Sequence, residues 1–359
     1  MKIVIFGLSV SSSWGNGHAS LWRGLIRALL EAGHRVVFFE RDVPYYAAHR
    51  DLHELPSGGE LVLYDDWTAA LPSMRRALAG ADVGMVTSYC PDGRVASELV
   101  LGTGVGVRCF YDLDTPVTLA RLEAGEEVAY IGADGLAPFD LVLSYTGGGA
   151  LDALQSRLGA RRTAPIYGSV DPALHRPSAP RAEYAALLSY IGTYADDRQA
   201  TLERLFVAPA RRRPEGRFVI AGAQYPDAFP WTANTFFVRH LPPPEHPAFY
   251  CSSRLTLNVT RETMARMGWC PSGRLFEAAA CGAPILTDWF EGLDAFFAPG
   301  DEIMVARTTD DALAALDQSD AALEAMARRA RERTLEEHTA ARRAAQMVEA
   351  FEMATQEAV

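Results

Sequence analysis

CPSGRLFEAAACGAPILTDWFEGLDAFFAPG, residues 270–300, decides how the rest of the chain is read. Pro271, Ser272 and Gly273 form a turn leading into a short helix with Leu275, Phe276, Ala279 and Ala280 facing a core and Glu277 near its start. A helix that opens this way presents backbone N–H groups at the positive end of its dipole. Ser272, Gly273 and Arg274 therefore make a seat for a phosphate, and Arg274 adds a fork-shaped donor. Gly282 stops the helix, residues 284–287 read as a buried strand, and the loop beyond carries Asp288 and Glu291. Glu277 follows the phosphate seat by about one turn, where a carboxylate can hold the two hydroxyls of a ribose.

The run Glu277-Ala-Ala-Ala-Cys-Gly-Ala-Pro284 before a strand resembles the donor-binding signature of GT-B glycosyltransferases. The longer SGRLFEAAACGAPILTDWFEGLDAFFAPGDEIMVA resembles the CgeB-like (spore maturation protein) glycosyltransferase family, as do SSSWGNGHAS, FYDLDTPVTL, LSYIGTYADDRQATLERLF, FVIAGAQYPD and PAFYCSSRLTLNVTRETM. The resemblance implies an α/β GT-B fold, two Rossmann-like doubly wound parallel-sheet domains facing a central cleft. It also implies a nucleoside-diphosphate sugar as donor, with Glu277 on the ribose. Retaining members usually carry a second glutamate eight positions earlier; Trp269 stands there. In the loop at 192–198, Arg198 occupies the place of a diphosphate-binding lysine and Thr193 that of a common arginine. His240 and Leu241, after the strand at 236–240, are the first candidates for the base, with residues 222–225 the second. Asp288, Glu291 and Gly292 border the donor sugar.

His18 with Asp112 or Asp114 resembles the base dyad of inverting GT-B enzymes. The histidine takes the acceptor proton while the aspartate fixes its tautomer. The rival expectation is a retaining enzyme in which His18 only contacts sugar or acceptor.

Composition sets the outer bounds. A chain of 359 residues with 49% hydrophobic and 10% aromatic content is globular and has room for two domains. A net charge of −11 and a pI near 5.3 argue against nucleic acid or an anionic membrane as the main partner, so a phosphate must be captured locally. No apolar run approaches the roughly 20 residues of a spanning helix, and residues 1–2 lead straight into a strand, so a cytoplasmic protein is expected. Cys90, Cys109, Cys251, Cys270 and Cys281 contain no CxxC pair and read as reduced, buried thiols, with neither zinc nor disulfides expected. Lys2 is the single lysine among 34 basic side chains. It sits at the start of a core strand, which excludes a pyridoxal-phosphate Schiff base and assigns every cationic diphosphate contact to arginine. No DxD motif stands at a strand end, so metal-independent transfer without a cofactor is expected.

Taken in order, residues 3–6 form a strand, residues 7–18 a loop rich in Gly and Ser, and Leu21, Trp22, Leu25, Ile26, Leu29 and Leu30 one face of a helix. A second strand follows at 35–40. The loop lacks both the GxGxxG spacing and the Lys of a P-loop. Trp14, Gly15, Asn16 and Gly17 suit the floor of a sugar or acceptor site at the end of the first strand. Residues 41–61 read as a polar, aromatic excursion. Beyond a helix at 67–78, apolar runs at 82–88, 106–111 and 140–145, each ending in a polar turn, imply a doubly wound parallel sheet. The Pro-rich 171–180 stretch resembles an interdomain linker and separates a first domain, 1–170, from a second, 171–338. There, strands are expected at 187–192, 217–222, 236–240 and 254–259, with a helix at 197–207. The last helix, within 339–359, is a candidate to pack back on the first domain.

Three functions fit this reading. The first is a glycosyltransferase moving a sugar, with UDP as one candidate carrier, to an unidentified acceptor. The others are a nucleotide-sugar 2-epimerase of the same fold and a sugar-nucleotide-binding protein without turnover.

Overall fold

The computed structural model describes residues 1–356, and contacts divide them into two units: Met1–Tyr167 with the final helix Ala340–Gln356, and Gly168–Thr339. In the first unit the strands are β1 (Lys2–Gly7), β2 (Arg35–Arg41), β3 (Gly59–Tyr64), β4 (Val83–Thr87), β5 (Val107–Asp112), β6 (Leu141–Ser144) and β7 (Thr163–Pro165). They pair in the order β3-β2-β1-β4-β5-β6-β7, every pair parallel. Ile3, Val4, Ile5 and Phe6 are wholly buried because helices cover both faces of the sheet, which is why the strands read as unbroken apolar runs. On one face, Trp22, Leu25, Ile26 and Leu29 of helix Gly17–Glu31 share a core with Ala344, Met347 and Phe351 of the final helix. Burying each of the Leu, Ile, Met and Phe side chains among them contributes roughly 2 kcal/mol.

The second unit holds β8 (Leu188–Ile191), β9 (Phe218–Gly222), β10 (Thr235–Arg239), β11 (Thr256–Asn258), β12 (Ile285–Thr287) and β13 (Met304–Val305). Their order is β10-β9-β8-β11-β12-β13, again all parallel. In each sheet the chain reverses its direction of growth once, between β1 and β4 and between β8 and β11. Loops leaving the carboxyl ends of those strands diverge there and leave room for a ligand.

Two expectations need correction. Residues 41–61 are not simply a polar excursion: they contain the short helix Pro44–Ala47 and the start of β3 at Gly59, a sheet-edge strand. The helix expected at 197–207 is a composite of a 3-10 turn Asp196–Arg198, an α turn Gln199–Leu202, a π turn Glu203–Val207 and an α segment Ala208–Arg212. Pro209 lacks the N–H that an α-helix would donate to Leu205, and the turn before it widens.

Candidate functional site

At the first switch point the loop after β1 is held by a buried carboxylate. Glu40, at the end of β2, accepts from Ser9 Oγ (2.8 Å), Ser11 Oγ (2.6 Å), Val10 N (2.8 Å) and Ser11 N (3.0 Å). Asp51 accepts from Ser13 N and from Arg23 and closes the far side of the loop. Asn16 caps helix Gly17–Glu31, its Oδ1 taking His18 N at 3.1 Å while its Nδ2 donates to Ser9 O and Ser12 O. Buried and fully engaged in its own loop, Asn16 does not face a ligand as expected. Trp14 stacks on His49 at 4.1 Å, Gly15 takes φ +59°, and Gly17 is exposed at the helix start.

That rigid loop delivers His18 to Asp114: Nε2 lies 3.0 Å from Oδ2. Asp114 stands at the start of helix Thr115–Glu123 but caps nothing with its side chain, so its carboxylate is available to the imidazole. The ring's Nδ1 is enclosed without a hydrogen-bond partner. Tyr89, which follows β4 in the left-handed region (φ +61°), sets its ring edge-on to His18 at 5.7 Å. Asp112 is not part of this pair. It is sealed in the core, where burial pushes its carboxyl up to about 6, and it accepts from Asp114 N (3.0 Å) and Thr118 Oγ1 (3.2 Å). Its place is beneath the turn that presents Asp114.

The second switch point gathers cations and hydroxyls. Arg274, in the first turn of helix Gly273–Ala280, donates from Nη1 to Asn258 Oδ1 at 2.9 Å, and its guanidinium lies 5.0 Å from the Tyr190 ring centre. Arg198 reaches back to Thr193 O at 3.1 Å. Both arginines keep a buried Nε without a partner, and so does the wholly buried hydroxyl of Tyr190. Gly192 permits this crowding, since a Cβ there would fall 2.8 Å from Arg274 Nη2 and 2.7 Å from the Tyr190 hydroxyl. Arg261 bonds Asp197 at 3.0 Å and ties the loop after β11 to the loop after β8. Beside them, burial first and then Tyr190 raise the Tyr225 phenol, while Arg274 and Arg198 pull it down. Buried donors thus stand open around two guanidinium groups. Ser272 caps the helix, its hydroxyl accepting from Arg274 N at 3.4 Å.

Further along the same helix, Glu277 Oε2 accepts from Tyr250 Oη at 3.1 Å and faces His175 Nε2 at 3.9 Å and His246 Nδ1 at 3.8 Å. Burial alone would raise the Glu277 carboxyl; His175, His246 and Arg274 overcome that and hold it at about 2. Burial keeps His175 below its ordinary value. Glu277 is thus a carboxylate at any working pH.

The remaining expected residues fall apart from these groups. Asp288 is buried and accepts from Thr260 N (3.0 Å) and Thr260 Oγ1 (2.9 Å), and burial pushes it up to about 6, so it ties the ends of β11 and β12 together instead of facing a sugar. Gly292 is pressed beneath the Trp269 indole, where a Cβ would come within 2.5 Å of the ring, and it too is closed to a ligand. Glu291 is exposed, its carbonyl accepting from Trp269 N. His240 takes φ +51° after β10, and Leu241 is buried with its carbonyl 3.2 Å from His246 Nε2. A groove of about 740 Å³ between helices Trp67–Leu78 and Gly93–Leu101 opens beside Gly80 and Gly104 at the amino ends of β4 and β5. Its lining contains no residue of either cluster.

Comparison with known proteins agrees with this architecture. The family described as glycosyl transferase-like matches residues 198–349, a span that includes Arg198, Arg274 and Glu277. Sucrose-phosphate synthase from Thermosynechococcus elongatus superposes with a TM-score of 0.71 at 14% identity, covering 98% of each chain. HepE of Anabaena, in complex with UDP and glucose, gives 0.67 at 13% identity over 98% of this chain and 100% of its own. An alpha-glucosyltransferase in complex with UDP-glucose and DNA containing an abasic site gives 0.70 at 10% identity over 98% and 99%. The chain has the GT-B fold. No curated protein sequence matches it.

Of the groups these two clusters bring together, Arg198, Arg274, Glu277, His18 and Asp114 were candidates from the sequence, whereas Glu40, Tyr89, Tyr190, Asn258, His175 and His246 were not. Tyr190 and Asn258 each lie at a strand's carboxyl end, a position that could have marked them.

Proposed function

We propose that the protein is a glycosyltransferase, CgeB-like in kind, that moves a sugar from a nucleoside diphosphate, UDP first among the carriers to test, to an acceptor hydroxyl. The observation that carries this is the open set of Arg198 Nε, Arg274 Nε and Tyr190 Oη at the second switch point, with Glu277 charged on the same helix. In this reading the diphosphate takes the arginine donors and the backbone of Ser272 and Gly273, Thr193 lines its path, Glu277 holds the ribose, and His240 and Leu241 flank the base. The C1–O bond to the diphosphate breaks with its electron pair passing to the phosphate oxygen, where the arginines neutralise it without a metal at that position. The acceptor oxygen forms the new bond to C1 and its proton passes to His18, whose imidazolium Asp114 stabilises. Glu291 is the donor-sugar contact of the 288–292 loop that remains open.

A second reading is favoured by one detail. With Nε2 taken by Asp114 and Nδ1 enclosed, neither ring nitrogen is free to accept a proton as the chain stands. A retaining enzyme in which the His18–Asp114 pair only binds sugar or acceptor fits that geometry. We place the protein in the cytosol on its free cysteines; among the described residues no helix is long and apolar enough to cross a membrane.

Thermal shift against a panel of nucleoside diphosphates tests the core of the proposal, since a bound diphosphate raises the melting temperature by mass action. A rise with one diphosphate that disappears in Arg274→Ala is expected; no rise with any of them would sink the proposal. Transfer assays followed by NMR of the product anomer then choose between base and bystander. Inversion with turnover lost in His18→Ala supports the base, and retention the alternative. An epimerised sugar formed from donor alone would identify the epimerase instead.

A further inference from the structure

Glu277 has neighbours that ribose binding does not use. His175 is 4% exposed, and both its ring nitrogens lack a hydrogen-bond partner. The Asp171 turn delivers it, Asp171 O accepting His175 N at 2.8 Å. His246 is fixed from the other side. Its Nε2 lies 3.2 Å from Leu241 O, a hydrogen bond that places the proton on Nε2 and turns the Nδ1 lone pair toward Glu277. Oε2 itself is oriented by the Tyr250 hydroxyl.

Three electron-pair donors, two imidazole nitrogens and a carboxylate oxygen, then face one another within 4.8 Å. The separations of 3.9 Å and 3.8 Å to Oε2 are too long for direct hydrogen bonds. They are within about half an ångström of the spacing between ligands of a tetrahedral ion bonded at about 2.0–2.1 Å. Two of the three ligands also have the outer partner such sites carry, a carbonyl on His246 and a tyrosine hydroxyl on Glu277; His175 is positioned through its main chain by the Asp171 turn. The charges around the gap are Glu277, Asp171 and Arg274, the last held off by its bond to Asn258.

We propose that His175 Nε2, His246 Nδ1 and Glu277 Oε2 bind one divalent transition-metal ion of the zinc class, with a fourth position left to water or a ligand. The expectation of a chain without zinc rested on the cysteines, and this set contains none. The ion joins the 171–177 segment to the helix that carries Glu277 and leaves Oε1, which makes none of these contacts, to the ribose. This goes beyond the nucleotide reading and is tested without any nucleotide.

Tag-free protein stripped with a chelator is titrated with zinc against a chromophoric competitor, and the Co2+ derivative is read by its d–d absorption. One equivalent is expected, with a rise in melting temperature. His175→Asn and His246→Asn should each abolish it, Tyr250→Phe should weaken it about tenfold, and Cys251→Ser should leave it unchanged. X-ray absorption on the wild-type zinc complex should show nitrogen and oxygen ligands alone, a readout independent of whether the variants fold. Failure to bind zinc, binding that survives both histidine substitutions, or sulfur in the coordination shell would overturn the proposal.

Discussion

The two switch points share one topology and are finished in opposite ways. Around the first, the loop donors of Val10 and of Ser9, Ser11 and Ser13 are taken up by Glu40 and Asp51, carboxylates of the same unit. Around the second, guanidinium and phenol donors stay unmatched in buried surroundings. Satisfied donors make a rigid wall, whereas buried unsatisfied ones cost stability that only an incoming acceptor recovers. The first loop is therefore a fixed wall, while the second switch point keeps open donors that the proposed function fills with a diphosphate.

The strongest way to break this contrast is at Glu40. Replacing it with alanine orphans four buried donors at once, and a loss of about 4 kcal/mol in stability to urea is expected, by analogy with removing one partner of a buried ion pair. Glu40→Gln should lose less, because it keeps an acceptor oxygen. If Glu40→Ala unfolds at the wild-type urea midpoint, the loop is not held as described.

A smaller effect is expected at Arg274. Alanine there removes the charge-assisted donor proposed for the diphosphate and should weaken UDP binding by about 2–3 kcal/mol, roughly a 30- to 150-fold rise in Kd by calorimetry. Arg274→Lys should recover only part, since an ammonium cannot present the fork. Stability should fall by less, because the lost bond to Asn258, contact with the Tyr190 ring and charge near Glu277 are offset by removing a buried Nε that has no partner. Should Arg274→Ala cost stability and spare UDP, the open-donor side of the contrast would be wrong.

This division also explains what could be read from the chain. Parallel strands buried on both faces give apolar runs, and each ends in a turn with Gly, Pro or Asp, so the alternation at 3–6, 35–40, 82–88 and 106–111 maps onto β1, β2, β4 and β5. Edge strands carry less of that signal, and β3 was hidden because Glu60 and its partly exposed neighbours continue the polar composition before them. The proposed diphosphate site was partly legible because Arg198, Arg274 and Glu277 sit in loop and helix positions with their own motif. Tyr190 and Asn258 were not, because a strand-end tyrosine or asparagine looks the same in sequence whether its polar atom is satisfied or open. His175 and His246 meet Glu277 from distant positions, and no local spacing announces such a meeting. Near His18, residues 112 and 114 differ by one strand period, and only the point where β5 ends decides which carboxylate turns inward.

Asp112 supplies the finest test of that last point. Burial raises its carboxyl from an ordinary 3.8 to about 6, so the folded chain holds the proton more tightly than the unfolded chain does. Linkage then makes its contribution to stability complete below about pH 4 and lost as pH rises through 6, an effect of at most about 3 kcal/mol. An asparagine side chain at this position has the aspartate's size and cannot be charged. Asp112→Asn should therefore match the wild type near pH 4 and exceed it at pH 7 by about 1–2 kcal/mol, discounted for the weaker acceptance of Asp114 N by an amide oxygen. Urea midpoints for both proteins across that range measure the divergence. Parallel curves would mean that Asp112 reaches water and shares the exposed role here given to Asp114 alone, whereas divergence leaves His18 with a single carboxylate partner.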